Sequence, residues 1–277
     1  MQPSHIPMEF TGERMVPEKA SAEIFWEHVY RYRFAVPYVR NKRVLDIACG
    51  EGYGSAGLLK AGAASVIGVD ISEETCRYAQ QKYGVDTRQG DAENIPLPNG
   101  SIDVIVSFET IEHVPSPEKF LKECVRVLRP GGQLIISTPN TSVYSYGGAE
   151  QDNPYHCSEL TTREFNRILS EHFVSHQMFS QNLRSVAWWS PRIFALNPYA
   201  PAPFRGHTQF RRLANALRRW ICPHITQLEQ KYQDNPVTAV LTPTPLLSDF
   251  VNYYAVLKTL SDKTEIQTYL VAVARKK

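Results

Sequence analysis

The chain has 277 residues, 43% hydrophobic and 21% charged, a balance that excludes intrinsic disorder and fibrous folds. Its length suits one Rossmann-size core carrying a large insertion. A net charge of only +2 argues against a general nucleic-acid coat, and no DNA partner is expected.

No apolar run approaches the ~20 residues needed to cross a bilayer. The opening MQPSHIPMEFTGERMVPE has no basic stretch followed by an apolar one, so nothing in it directs export. Five scattered cysteines (49, 76, 124, 157 and 222), none in a CxxC pair, read as reduced thiols. The expectation is a cytoplasmic protein without a transmembrane segment, self-association being left open.

In chain order, residues 1–40 read as an N-terminal arm whose 21–39 stretch, SAEIFWEHVYRYRFAVPYV, predicts a helix. Strands are predicted at 44–48, 66–70, 85–89, 102–108, 133–138 and 174–180. Continuous runs such as VIGVD and DVIVSF suit strands buried on both faces of a parallel sheet. Between them, Ser72 ahead of Glu73 and Glu74 marks a helix start, and Ser116-Pro117 marks another, closed by Arg129-Pro130-Gly131-Gly132. Thr161-x-x-Glu164 is a capping box ahead of Phe165, Ile168 and Leu169. The alternation predicts an α/β sandwich whose core is 41–181 plus 263–277, the tail IQTYLVAVARKK returning as a strand.

Residues 182–262 break the rhythm. They hold eight of the nineteen prolines, and their nine lysines and arginines outnumber their acids. An irregular, basic, aromatic-rich cap over a ligand site is expected there. Within it, Phe210, Leu213, Leu217 and Trp220 form one helical stripe flanked by Arg211, Arg212, Arg218 and Arg219. That stripe suits an anionic acceptor, a membrane surface, or simple packing on the core.

Between the first strand and the next helix lies VLDIACGEGYGSAG. Glycines at such a turn let a ligand approach the backbone and the helix N–H groups. Gly52, Gly54 and Gly57 spell a literal GxGxxG, which raises a dinucleotide enzyme. Against it, Asp46 inside the strand would repel a pyrophosphate and suit a cationic ligand. Asp70 ends the second strand, where a carboxylate can clasp two ribose hydroxyls.

The stretches DIACGEGYG, GVDIS, GDAENIPLPNGSIDVIVSFETIEHV and RVLRPGGQLIISTPN, in this order, resemble class I S-adenosylmethionine-dependent methyltransferases. The resemblance covers about residues 9–181 and the final strand, not the insert. It implies a Rossmann-like, seven-stranded, mostly parallel sheet flanked by helices, with S-adenosyl-L-methionine at the strands' carboxyl ends. It also implies Ala48, Gly50, Gly52 and Gly54 beside the methionine moiety, with Asp46 near its ammonium through water. Asp70 would take the ribose hydroxyls and Ile71 the adenine face. Asp91, beside Ala92, would take the adenine amino group, and Phe108 would close the wall. Asp46 and Asp103, as strand-edge acids, serve equally well as caps of helices and turns.

Next comes Glu109-Thr-Ile-Glu112-His113. If these residues form one helical turn, positions i, i+3 and i+4 share a face at the sheet's carboxyl edge. His156, in the loop after the fifth strand, returns to the same edge. This combination resembles small-RNA terminal-ribose methyltransferases, and the EHVP segment is similar to ubiquinone-pathway catechol O-methyltransferases. The resemblance implies a divalent cation (Mg or Mn) held by Glu109, Glu112, His113 and His156 beside the acceptor, with His113 and His156 in catalysis. Such a cation would lower the pKa of two neighbouring hydroxyls and orient them. Relatives keeping "EH" without a metal leave His113 as a general base or a turn-packing residue.

The opening EFTGERMVPE and the helix ending HVYRYRFA resemble bacterial methyltransferases of glycan and natural-product assembly. That implies an arm over the cofactor, with Arg14 or Arg31 meeting the methionine carboxylate; a solvated helix face is the alternative. The expected function is O-methylation of a sugar hydroxyl on a glycan, nucleotide sugar or glycosylated natural product. Alternatives are a metal-free phenol or catechol methyltransferase using His113 as base, and a cofactor-binding regulator.

Overall fold

The computed structural model describes residues 14–20, 22–141, 155–181, 231–241, 256–258 and 269–277. The insert's arginine stripe, most of its aromatics and the first residues of the arm lie outside the described residues. The elements are α1 (Ala22–Val39), β1 (Arg43–Ile47), α2 (Tyr53–Lys60), β2 (Ser65–Asp70), α3 (Glu73–Tyr83), β3 (Asp86–Gln89) and β4 (Ile102–Phe108). They continue with α4 (Pro117–Val127), β5 (Leu128–Pro139), α5 (Thr162–His172), β6 (Ser175–Gln181), α6 (Pro236–Leu241), β7 (Val256–Lys258) and β8 (Tyr269–Arg275).

One sheet runs β3-β2-β1-β4-β5-β8-β6-β7. β1 to β5 pair in parallel, and β8 is antiparallel to both β5 and β6. Seven of these strands are the ones expected from sequence. The eighth, β7, comes from within the insert and pairs antiparallel with the edge strand β6 at Phe179–Gln181. Its three residues are too short a run to show a period of two, so the sequence pattern does not announce it.

The helix starts obey local chemistry. Ser72 Oγ accepts from Thr75 N at 3.2 Å, Ser116 Oγ from Lys119 N, and Thr161 and Glu164 complete a reciprocal capping box. Each cap stabilises its helix by about 1 kcal/mol. Strand residues then divide between two cores. Leu45, Ile47, Ile105 and Leu134 meet α4 and α5 through Phe120 and Phe165. Val44, Val66, Val104 and Val271 face the other way, onto α1 and α2. This alternation is why apolar residues run side by side in these strands, Val44 beside Leu45, Val104 beside Ile105 and Leu134 beside Ile135.

The described piece of the insert packs on that second face. Val237 and Val240 of α6 are buried there, and Gln233 donates to the Ala20 carbonyl at 3.0 Å. No helix among the described residues is long and apolar enough to cross a membrane.

Gly54, in the first turn of α2, is required by contact. A Cβ added there would lie 2.0 Å from Cζ of Tyr32. Gly54→Ala should therefore destabilise by about 1–3 kcal/mol, the usual cost of overpacking. Gly84 is the control: it ends α3 at φ +67° with no described residue within 4 Å of such a Cβ, and Gly84→Asn should cost far less in urea denaturation.

Candidate active site

The turn after β1 is built from left-handed residues: Ala48 at φ 53°, Gly50 at 54° and Gly52 at 81°. Ala48 carries a Cβ in a region that L-residues avoid, so this turn is held by its surroundings. One holder is Asp70 at the carboxyl end of β2. Its Oδ2 accepts from Gly50 N and its Oδ1 from Ser72 N, both at 3.0 Å. Each carboxylate oxygen keeps a second lone pair. The next side chain, Ile71, is 74% exposed, an unusual position for so apolar a residue.

Asp91 holds its own turn by accepting from Glu93 N at 2.8 Å, and Ala92 packs partly buried on the core. Gly52 fits tightly against Ala79, and Gly54 against Tyr32, whereas among the described residues Gly50 meets only the Arg14 side chain, 3.7 Å from where a Cβ would sit. The arm over this loop is fixed by buried Val16 and by the Lys82–Glu18 pair at 2.6 Å. A carboxylate at the end of β2, an exposed apolar side chain beside it and an arginine over the loop are chemically suited to an adenosyl ligand carrying a carboxylate.

Two further residues expected at the cofactor, Phe108 and Asp46, are buried. Phe108 is buried edge-to-face on Tyr32, with ring centroids 5.2 Å apart. Asp46 is 1% exposed and accepts from Ser55 Oγ at 2.6 Å and from Tyr32 OH at 3.2 Å. Burial pushes its carboxyl up to about 7; the two hydroxyl donors oppose the rise and the Asp70 charge adds to it. Asp103 lies at the opposite end of β4, paired with Arg43 and Arg129 as a structural tie.

The acidic–histidine segment departs from the expected helical turn. Residues 109–113 form a bend and a turn, closed by His113 N donating to Thr110 O at 2.9 Å. Glu109 itself has φ 52°, and a left-handed residue breaks the i, i+3 alignment on which the four-residue set depended. Its carboxylate accepts from Ser137 Oγ at 2.6 Å and lies 3.6 Å from Arg31. Arg31 is fully buried, donates from Nε to Gln181 Oε1 at 2.9 Å, and stacks 4.2 Å above the Tyr269 ring. It belongs to this interior network, leaving Arg14 as the arm's cation at the glycine loop.

Glu112, His113 and His156 do converge: one donor atom from each lies within 4.8 Å of the others. Glu112 is 1% exposed and accepts from Thr138 Oγ1 at 3.2 Å. Burial, then the neighbouring Glu109 charge, pushes its carboxyl well above the usual carboxylate range. The two imidazoles meet edge to face, centroids 4.9 Å apart. Two nitrogens and one carboxylate oxygen suit a borderline divalent cation with coordination positions left for a substrate. Sequence reasoning missed the partners around this set: Ser137, Arg31, the Tyr155 carbonyl and Glu159. Of these, only Glu159, three residues after His156, offered a local spacing signal.

Residues 45–136 match the methyltransferase domain family. The chain is 41% identical over 170 residues to a Mycolicibacterium smegmatis protein named as a probable S-adenosylmethionine-dependent methyltransferase, covering 60% of this chain and 65% of that one. It is 38% identical over 120 residues to the ubiquinone biosynthesis O-methyltransferase of Parvibaculum lavamentivorans, covering 42% of this chain and 47% of that one. The chain thus spans less than two thirds of the length of the curated relatives it matches. Among solved structures, a SAM-dependent methyltransferase from Archaeoglobus fulgidus superimposes with a TM-score of 0.53 at 18% identity, covering 94% of this chain and 96% of that one, a likeness of fold. The family match at residues 45–136, the relatives and the sheet topology agree in their likeness to class I S-adenosylmethionine-dependent methyltransferases.

Proposed function

We propose that the protein transfers the methyl group of S-adenosyl-L-methionine to a hydroxyl oxygen of a small acceptor, a sugar bearing two neighbouring hydroxyls. The observation that carries this reading is the gathering of Glu112, His113 and His156 at the carboxyl edge of the sheet. The ubiquinone-pathway relative is named as an O-methyltransferase, which favours oxygen as the acceptor atom.

In this reading Asp70 holds the ribose hydroxyls, Ile71 packs on adenine, and Asp91 with Ala92 borders the base. Gly50 gives the backbone its close approach, and Arg14 faces the methionine carboxylate. When bound, the cofactor supplies an electrophilic methyl group. Glu112, His113 and His156 would hold a divalent cation, which would supply Lewis acidity to the acceptor hydroxyls. The chain's own residues then align the attacking oxygen in line with the methyl carbon and keep water out. The arm, 1–40, is the lid, and the insert, 182–262, shapes the acceptor pocket.

A second reading has a specific observation behind it. His113 Nδ1 lies 3.0 Å from the Tyr155 carbonyl, which leaves Nε2 able to take the hydroxyl proton without a metal, as a phenolic acceptor would require. A mass-spectrometric screen of nucleotide sugars, glycosides and phenols for methyl gain, with and without chelator, separates the two.

Asp70→Ala should weaken binding of the demethylated cofactor product at least about tenfold, or about 1.5 kcal/mol, as for a lost charge-assisted hydrogen bond. Calorimetry measures it, and unchanged affinity in a folded variant would remove Asp70 from the ribose site.

A further inference from the structure

The loop that delivers His156 is laced to the turn that carries Glu112 and His113. Cys157 N and Ser158 N donate to the Glu112 carbonyl at 2.8 and 3.0 Å, and Ser158 Oγ donates to the Val114 carbonyl at 3.2 Å. Within this lacing each imidazole has an acceptor at Nδ1: the Tyr155 carbonyl for His113, and Glu159 Oε1 for His156, both at 3.0 Å.

A backbone carbonyl can only accept a hydrogen bond, and so can a carboxylate. Nδ1 must therefore carry the proton in both rings, and each neutral ring keeps its lone pair on Nε2. The two arrangements differ in what maintains them. His113 is held by the main chain, which no side-chain substitution removes. His156 depends on a single side chain, and that side chain, Glu159, is 41% exposed. The His156 ring itself is 16% exposed and packs edge to face on His113, so what the Glu159 hydrogen bond decides is which of its nitrogens carries the proton.

We propose that Glu159 is a positioning residue of this site: by accepting the His156 Nδ1–H it keeps the Nε2 lone pair available to whatever the cluster holds. Under the reading above that is a divalent cation. The proposal rests on that reading only for the identity of what is held. A merely structural role would make His156–Glu159 an exposed i, i+3 pair, with a small effect on stability and none on the ring's tautomer.

The test reads the tautomer directly. Long-range proton–nitrogen NMR on the labelled, metal-free protein at mildly alkaline pH should show His156 with its proton on Nδ1. Glu159→Ala should move that proton largely to Nε2, whereas Glu159→Gln, whose Oε1 still accepts, should retain the parent pattern. Mn²⁺ added alone, followed by water-proton relaxation, should bind about 10–100-fold more weakly to Glu159→Ala, the usual loss when a ligand's orienting partner is removed. The glutamine variant should recover that affinity. An Nε2-protonated His156 in the parent, or an unchanged tautomer in Glu159→Ala, would overturn the proposal. A tautomer shift in a protein that binds no Mn²⁺ at all supports the positioning role and removes the cation instead.

Discussion

His113→Ala should lower the rate of methyl transfer about 10²–10⁴-fold while leaving cofactor affinity within about twofold. The reason is geometric. His113 and its two partners sit after β4 and β5, whereas the residues assigned to the adenosyl ligand sit after β1, β2 and β3 and in the arm. The two sets share no side chain, so removing one leaves the other intact. Chelator separates the two mechanisms that use this residue. If Glu112, His113 and His156 hold a cation, excess chelator abolishes turnover, and Glu112→Ala, His113→Ala and His156→Ala are equally damaging. If His113 works as a base alone, activity survives chelator and His156→Ala is much milder. A His113→Ala enzyme with near-parent turnover would sink both.

Asp46→Asn should change how stability depends on pH, by up to about 4 kcal/mol across the full window. In the fold, burial holds the Asp46 carboxyl at about 7; in the unfolded chain it returns to about 3.9. Between these values the folded state keeps a proton that the unfolded state has released. The group's contribution is therefore complete below about pH 4, declines as pH rises, and is gone above about pH 7. Asparagine has no such proton to lose. Its stability relative to the parent should climb steadily from pH 4 to pH 8, whatever constant offset the amide introduces against Ser55 and Tyr32. Urea midpoints without cofactor at several pH values measure it. Parallel curves for the two proteins would show that Asp46 titrates as an ordinary surface acid.

What the sequence revealed was mostly local. The strand expected at 102–108 matches β4 because DVIVSF is continuously apolar and bounded by turn residues. Helix starts at Ser72, Ser116 and Thr161 were legible because a cap and its partner lie three residues apart. The strand expected at 133–138 was too short: β5 begins at Leu128, because the Arg-Pro-Gly-Gly segment, expected only to close a helix, already belongs to the strand through an irregular register opposite Ile102. Glu109 shows the deeper limit. Residue spacing predicts a shared face only if every intervening φ is right-handed, and one left-handed residue turns the carboxylate toward Ser137. Arg31 likewise sits on a helix whose period is readable, but its partners Glu109, Gln181 and Tyr269 come from distant stretches of chain.

The position of β8 in the sheet has a consequence for synthesis. The strand lies between β5 and β6, yet it is made long after both. While the chain emerges from the ribosome, β1 to β5 can already pair in parallel, but among the described residues β6 then has only the three residues of β7 to pair with. Both ladders of β8, Gln133↔Arg275 to Pro139↔Tyr269 and Ser175↔Arg275 to Gln181↔Tyr269, form only after Arg275 has been added. Until then the β5 edge stays open, with Leu134 and Ile136 beside it, and is exposed to pairing with other nascent strands. Pulse-labelled nascent chains arrested just before Tyr269 should accordingly depend on chaperones, and release of the last strand should end that dependence.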